Sequence, residues 1–280
     1  MAMKRTLIIW SCLILALTAG ALWIIHNQQS TTQKITLAVV EETPAEKRAR
    51  RFKKVSKVIV YSDEASMLNA LEEKTADAGL TDFLTGLSMI KTGEYSNLKL
   101  AGSLMEPESA VVTFRKEDNA FRQAINEGIK KIIANGTYAL ISFNYFGFNI
   151  LTKFELNGDP LPEIKKNDDS WLKIQHSGEI SVAFYENNWP FSYFDDDNEL
   201  AGFNVDIAKS VCRELGISFN PIVYPRDEIL EGLINRYYDC IWCSIASAEP
   251  ENSLLCFSNP FYISGLHFIV SKGSTIKNLD

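Results

Sequence analysis

The stretch Ile35-Thr36-Leu37-Ala38-Val39-Val40-Glu41-Glu42-Thr43-Pro44-Ala45-Glu46 decides how the chain is read. Six aliphatic and β-branched residues in a row predict a buried strand, and a helix start follows at once. Thr43 is a good N-cap. Pro44 suits the first helical position, where its missing N–H costs nothing, and Glu46 completes a capping box. The alternation continues with a strand at Lys57 to Tyr61, a helix at Glu64 to Lys74, a strand at Asp77 to Thr81 and a helix at Phe83 to Lys91. Such a βαβ series predicts an α/β fold with a mainly parallel sheet and ligands at the carboxyl ends of its strands.

Further on, Ala110 to Arg115 predicts another strand. Phe121, Ile125, Ile129, Ile132 and Ile133 follow at helical spacing and stop at Asn135-Gly136, a plausible C-cap. From Asn149 to His176 the texture turns polar, with Asn157-Gly158-Asp159-Pro160, Pro162 and the run Lys165 to Ser170, and predicts a linker. A second α/β series then begins. It has strands at Ile180 to Tyr185, Ile217 to Val223 and Cys240 to Cys243, helices at about Phe203 to Leu215 and Asp227 to Arg236, and a last extended run at Phe261 to Val270.

With 46% hydrophobic and 22% charged residues among 280, the chain has enough apolar surface for a sizeable core, which excludes disorder. A net charge of −7 lacks the basic footprint of a nucleic-acid binder. Thr6 to Ile25 is a charge-free, mostly apolar run preceded by Lys4 and Arg5, long enough to cross a bilayer with residues 1–5 inside and the bulk outside. Ala19-Gly20-Ala21 offers a signal-peptide cleavage pattern, but Leu22-Trp23-Ile24-Ile25 carries the apolar run past it, so an uncleaved inner-membrane anchor is preferred to a cleaved signal. Export would bring Cys212, Cys240, Cys243 and Cys256 into an oxidising compartment, as buried thiols or one disulfide. Zinc at Cys240-x-x-Cys243 is disfavoured, because residues three apart in a strand face opposite ways and no His lies near. The basic run from Lys47 to Lys57 is either a solvated helix face or a contact for anionic lipid.

Glu186-Asn187-Asn188-Trp189-Pro190-Phe191-Ser192-Tyr193-Phe194, followed by Gly202-Phe203-Asn204-Val205-Asp206-Ile207-Ala208, resembles the opening of the family 3 periplasmic solute-binding proteins, the polar-amino-acid-binding group. Tyr238-Asp239 and Phe257-Ser258-Asn259-Pro260-Phe261-Tyr262 continue the likeness. The segment Ala38 to Glu46 resembles the start of that family's second lobe, and Ala76 to Asp82 its ligand-facing strand end. The resemblance implies a two-lobed periplasmic-binding-protein fold of type II, closing over a solute like a Venus flytrap. What comes second in the family comes first here, which a circular permutation explains better than remnants of two tandem domains. The implied organisation is a lobe at 35–102, the other lobe at 106–148 and 179–270, a linker at 149–178 and a hinge-like tail at 271–280.

The resemblance also assigns residues. Asp82 matches the carboxylate that holds a ligand ammonium, and is equally an N-cap for the following helix. Thr43 matches the donor to a ligand carboxylate, and is equally a simple N-cap. Trp189, Phe191 and Tyr193 match aromatic rings stacked on the ligand, and alternation in an extended segment would put all three on one face. Asp206 is assigned to helix capping. The family's carboxylate-clamping Arg is missing: counting from Asp239 and from Phe257 places Glu251 there, or Asn252 after a slip of one. Ala248 replaces a Thr and Glu42 a Gly. Like charge at Glu251 turns the expected ligand towards a small polar, amine-bearing solute, unless another cation such as Arg226 occupies the cleft. The expected role is an extracytoplasmic binding protein serving an ABC-type permease or a membrane sensor, with no cofactor, no metal and no catalysis. The alternatives are a degenerate sensor or scaffold, and an enzyme similar to cyclohexadienyl dehydratases using Glu251 or Glu186 as an acid. His26, His176 and His267 lie apart from the matched positions.

Overall fold

The computed structural model describes residues 34–153, 167–185, 187–243 and 254–279. The expected anchor at 6–25 and the positions Glu186, Ala248, Glu251 and Asn252 lie outside the described residues. No helix among the described residues is long and apolar enough to cross a membrane.

The first half follows the predicted alternation closely: β1 (Ile35–Val40), α1 (Pro44–Ala49), β2 (Val55–Tyr61), α2 (Glu64–Glu72), β3 (Ala78–Asp82) and α3 (Phe83–Lys91). Then come β4 (Leu98–Ala110), β5 (Thr113–Arg115), α4 (Asn119–Ala134), α5 (Thr137–Phe146) and α6 (Ser170–Ser177). The last part contains β6 (Glu179–Phe184), β7 (Tyr193–Phe194), β8 (Leu200–Ala201), α7 (Phe203–Leu215), β9 (Ser218–Val223), α8 (Ile229–Ile234), β10 (Cys240–Ile241), β11 (Leu255–Phe257) and β12 (Tyr262–Ser271). Helix α4 forms for the reason its sequence gives: Phe121, Ile125, Ile129 and Ile132 recur at helical spacing and all are buried.

Two five-stranded sheets share one plan. In the first, ordered β2-β1-β3-β12-β4, strands β1, β2 and β3 run parallel and β12 runs antiparallel between β3 and β4. In the second, ordered β11-β5-β10-β6-β9, strands β9, β6 and β10 run parallel and β5 runs antiparallel between β10 and β11. Each sheet therefore contains a strand that reaches it directly from the other. The two crossings, β4 to β5 and β11 to β12, lie side by side: Val112 N–H donates to Ser258 Oγ at 2.8 Å, Ser258 N–H donates to Val112 O at 2.9 Å, and Phe261 N–H donates to Ala110 O at 3.0 Å. Beyond β12 the chain returns to the start of β1. Leu279 is buried with Ile35, Phe52 and Phe268, and its carbonyl accepts the Lys54 N–H at 3.2 Å.

Several boundaries differ from the sequence expectation. Strand β12 belongs to the first sheet, although residues up to 270 were assigned to the other lobe, and β4 continues in the first sheet to Ala110, past 102. The expected linker contains α6, whose Phe121-facing Trp171 stacks with ring centroids 6.3 Å apart. Cys212, Cys240, Cys243 and Cys256 are free, and burial pushes the Cys212 and Cys243 thiols up to about 12, Cys256 up to about 11 and Cys240 well above its ordinary value. A raised thiol holds less of the reactive thiolate. No metal-holding group of His, Cys, Asp or Glu exists among the described residues.

Candidate functional site

The carboxyl ends of β1, β2 and β3 in one sheet and of β6 and β9 in the other converge on a cleft of about 510 Å³, the size of an ordinary small-molecule site. This is where open α/β sheets bind ligands, because the strand ends stop short and the loops beyond them leave a crevice.

Asp82 stands at the end of β3 and caps α3. Its Oδ1 accepts from the N–H of Leu84 at 2.9 Å and of Thr85 at 3.0 Å and from Thr85 Oγ1 at 3.3 Å, while Oδ2 accepts from Ser264 Oγ on β12. Burial raises the carboxyl above its ordinary value of 3.8 despite these donors. Asp82 is thus a cap that also lines the cleft. Thr43 has the same double placement: Oγ1 accepts from Glu46 N–H at 3.3 Å and donates to Val40 O at 2.7 Å, and the residue lines the cleft. The capping box is completed one residue early, since Glu46 Oε2 accepts from Glu42 N–H at 3.1 Å. Glu42 itself has φ of 58°, in the left-handed region that favours glycine, so the departure from Gly noted in the sequence falls on a backbone position where a side chain is strained.

Asp63 and Glu64 follow β2, at the start of α2. Glu64 accepts from Thr81 Oγ1 at 3.0 Å, and burial raises its carboxyl. Asp63, capping α2, is held below its ordinary value by the Ser66 N–H, with Ser62 and Ser66 hydroxyls adding to it. Glu106 and Glu108 of β4 also face the cleft, Glu106 in an ion pair with Arg48 at 3.1 Å. That pair, and Arg50 with Glu46 at 2.9 Å, place two members of the basic run in local contacts.

From the second sheet, Trp189 and Phe191 line the cleft and Tyr193 does not. The segment is not extended. Asn188 O accepts from the N–H groups of Phe191 at 2.7 Å and Ser192 at 3.0 Å, closing a tight turn that breaks the alternation on which the shared face depended. Tyr193 instead pairs with Ala201 across β7 and β8. Phe191 is a core residue as well, stacked on Tyr262 with centroids 5.5 Å apart and planes 6° apart. Asp206 does not cap its helix as expected: Gly202 holds the N-cap position, Asp206 lies inside the first turn of α7, and its carboxylate accepts from Tyr145 OH at 2.8 Å. Arg226 does occupy the cleft wall, its guanidinium 5.1 Å from the centre of the Tyr185 ring. The signal for it was positional: it lies three residues beyond the end of a parallel strand, where this architecture puts ligand contacts.

Fold and cleft together define a two-sheet α/β protein with its candidate site between the sheets. Residues 180–278 match the family of bacterial extracellular solute-binding proteins, family 3. It is similar to the L-cystine-binding protein TcyJ of Escherichia coli (strain K12), 29% identical over 110 residues, 39% of this chain and 41% of that protein. It is also similar to the arginine-binding periplasmic protein of Mannheimia haemolytica, 29% identical over 30% of this chain and 35% of that protein. The histidine-binding periplasmic protein of Escherichia coli (strain K12) is 26% identical over 31% and 34%. The chain thus spans about two fifths or less of the length of these relatives. Among solved structures, the arginine-bound domain 1 from TmArgBP has a TM-score of 0.32 at 23% identity, covering 37% of this chain and 87% of that one. The periplasmic VFT2 domain of Bordetella pertussis BvgS has a TM-score of 0.42 at 9% identity, covering 89% and 86%.

Proposed function

We propose that this protein is an extracytoplasmic solute-binding protein that holds a small, polar, amine-bearing, amino acid-like solute between its two lobes for an ABC-type permease. The observation that carries the reading is the cleft itself: strand ends from both sheets converge there, one wall rich in carboxylates and the other in aromatic rings. The names of the cystine-, arginine- and histidine-binding relatives support it. In this reading Asp82 and Glu64 attract the solute ammonium, Thr43 contributes its edge of the cleft, Trp189 and Phe191 cover the apolar part, and the paired crossings at 110–113 and 257–262 serve as the hinge. The lobes are then the two sheets with their helices, arranged as a circular permutation of the family order, for which the burial of Leu279 beside Ile35 is the support. The periplasmic placement and the anchor at 6–25 belong to the same proposal.

One sequence feature favours a second reading, a sensor or scaffold that has lost its solute: the resemblance puts Glu251, or Asn252 after a slip of one, where the clamp Arg is expected. A thermal-shift panel of amino acids, cationic amines and prephenate separates these readings, because binding to the native state raises the melting temperature by mass action. An amine-bearing amino acid is expected to stabilise the protein. A flat panel supports the sensor or scaffold, and stabilisation by prephenate alone supports the enzyme-like alternative.

A further inference from the structure

The charges of the cleft are sorted by lobe. Its five acidic side chains, Asp63, Glu64, Asp82, Glu106 and Glu108, all come from the first sheet and its helices. Arg226, just past β9 of the second sheet, is the only basic side chain lining the cleft among the described residues. It forms no ion pair with another described residue, and its guanidinium rests over the Tyr185 ring. A guanidinium seated on an aromatic face is oriented through that face, while its N–H groups in the plane stay free to donate as a fork.

A purely anionic ligand would meet five carboxylates across this cleft, and a purely cationic one would leave Arg226 unmatched beside another cation. Only a ligand carrying both charges, set apart along its length, complements both walls. We propose that Arg226 receives the carboxylate of the solute, so that the ligand lies across the cleft with its cationic end towards Asp63, Glu64 and Asp82. This rests on the solute-binding reading and adds to it the ligand's orientation and class, an amino acid with a cationic side chain. Arg226 takes the part that an acidic residue such as Glu251 cannot play.

The test uses the full chain and two probes, L-arginine and agmatine, which is the same molecule without its carboxylate. Calorimetry of the unmodified protein is expected to favour L-arginine by about tenfold or more, since a charge-assisted pair to the carboxylate is made by only one of the two. Arg226→Gln is expected to abolish that preference by weakening L-arginine about tenfold while leaving agmatine unchanged or tighter, and Arg226→Lys to fall between. Melting curves of both variants check that they fold; because Arg226 is exposed, they are expected to match the parent. A preference that survives Arg226→Gln overturns the proposal, as does equal binding of the two probes by the parent. Neither result touches solute binding itself. A parent that binds no amino acid at all overturns the solute-binding reading and this proposal with it.

Discussion

Asp82 is held in the cleft by four donors from its own lobe, yet burial still raises its carboxyl above the ordinary 3.8. A group whose folded pKa is raised contributes stability that is fully present below its unfolded value and is lost as the pH climbs through the folded one. Glu64 is raised for the same reason and adds to the trend, whereas Asp63 is lowered and opposes it. Asp82→Asn removes one titration and leaves the others, whatever it costs as a cap. The stability difference between Asp82→Asn and the parent is therefore expected to move in favour of the variant as pH rises from about 4 to 7. Urea melts at a series of pH values read this directly, and a constant difference would show that Asp82 does not titrate in that window. At this scale the caps were legible in the sequence, because Thr43 and Asp82 carry short acceptors just ahead of helices. The fate of Tyr193 was not, although Asn187, Asn188 and Pro190 are turn-favouring residues: the aromatic alternation of Trp189, Phe191 and Tyr193 suggests an extended run, whereas Asn188 O closes a turn on Phe191 and Ser192.

Strand β12 is the element on which the cleft is built, for it supplies Ser264 to Asp82 and sits between β3 and β4. Its register against β4 slips between Ser264 and Leu266, and Gly265 lies in that irregularity. A Cβ at Gly265 would stand 2.6 Å from Met105 O and 2.9 Å from Glu106 O, and backbone carbonyls cannot move aside as a flexible side chain can. Gly265→Ala is expected to cost about 1–3 kcal/mol, the usual range for overpacking. Gly273→Ala, which meets nothing within 4 Å, is expected to change stability by less than about 0.5 kcal/mol. Equal effects of the two in denaturant melts would contradict the close approach. The helices α1 to α3 and their strands were readable because periodicity and capping agree there. Strand β4 was not: Gly102 and Pro107 look like turn residues, and Pro107 is tolerated because β4 is the edge of its sheet, where a missing N–H breaks no ladder. Helix α5 was missed because Tyr138 to Phe146 is apolar on nearly every side, with Leu140 and Phe143 exposed, so it carries no 3.6-residue stripe.

For the whole molecule, the exchange of one strand between sheets ties the two sheets through adjacent crossings and leaves the cleft between them. The alternation of strands and helices was enough to place ligands at strand ends. It could not show which strand each sheet borrows, because antiparallel insertion of β5 and β12 is decided by tertiary pairing over long sequence separations. The central claim is that a solute sits between the lobes, against Trp189. Trp189 lines the cleft, whereas Trp171 stacks on Phe121 and Trp242 is fully buried in the core. The most direct measurement is a tryptophan-fluorescence titration of the parent and of Trp189→Phe with the amino acid that stabilises the protein most. A saturable signal is expected in the parent and its loss in Trp189→Phe, with the thermal stabilisation of the variant still detectable. The same fluorescence change in both proteins would place the ligand elsewhere and contradict the account.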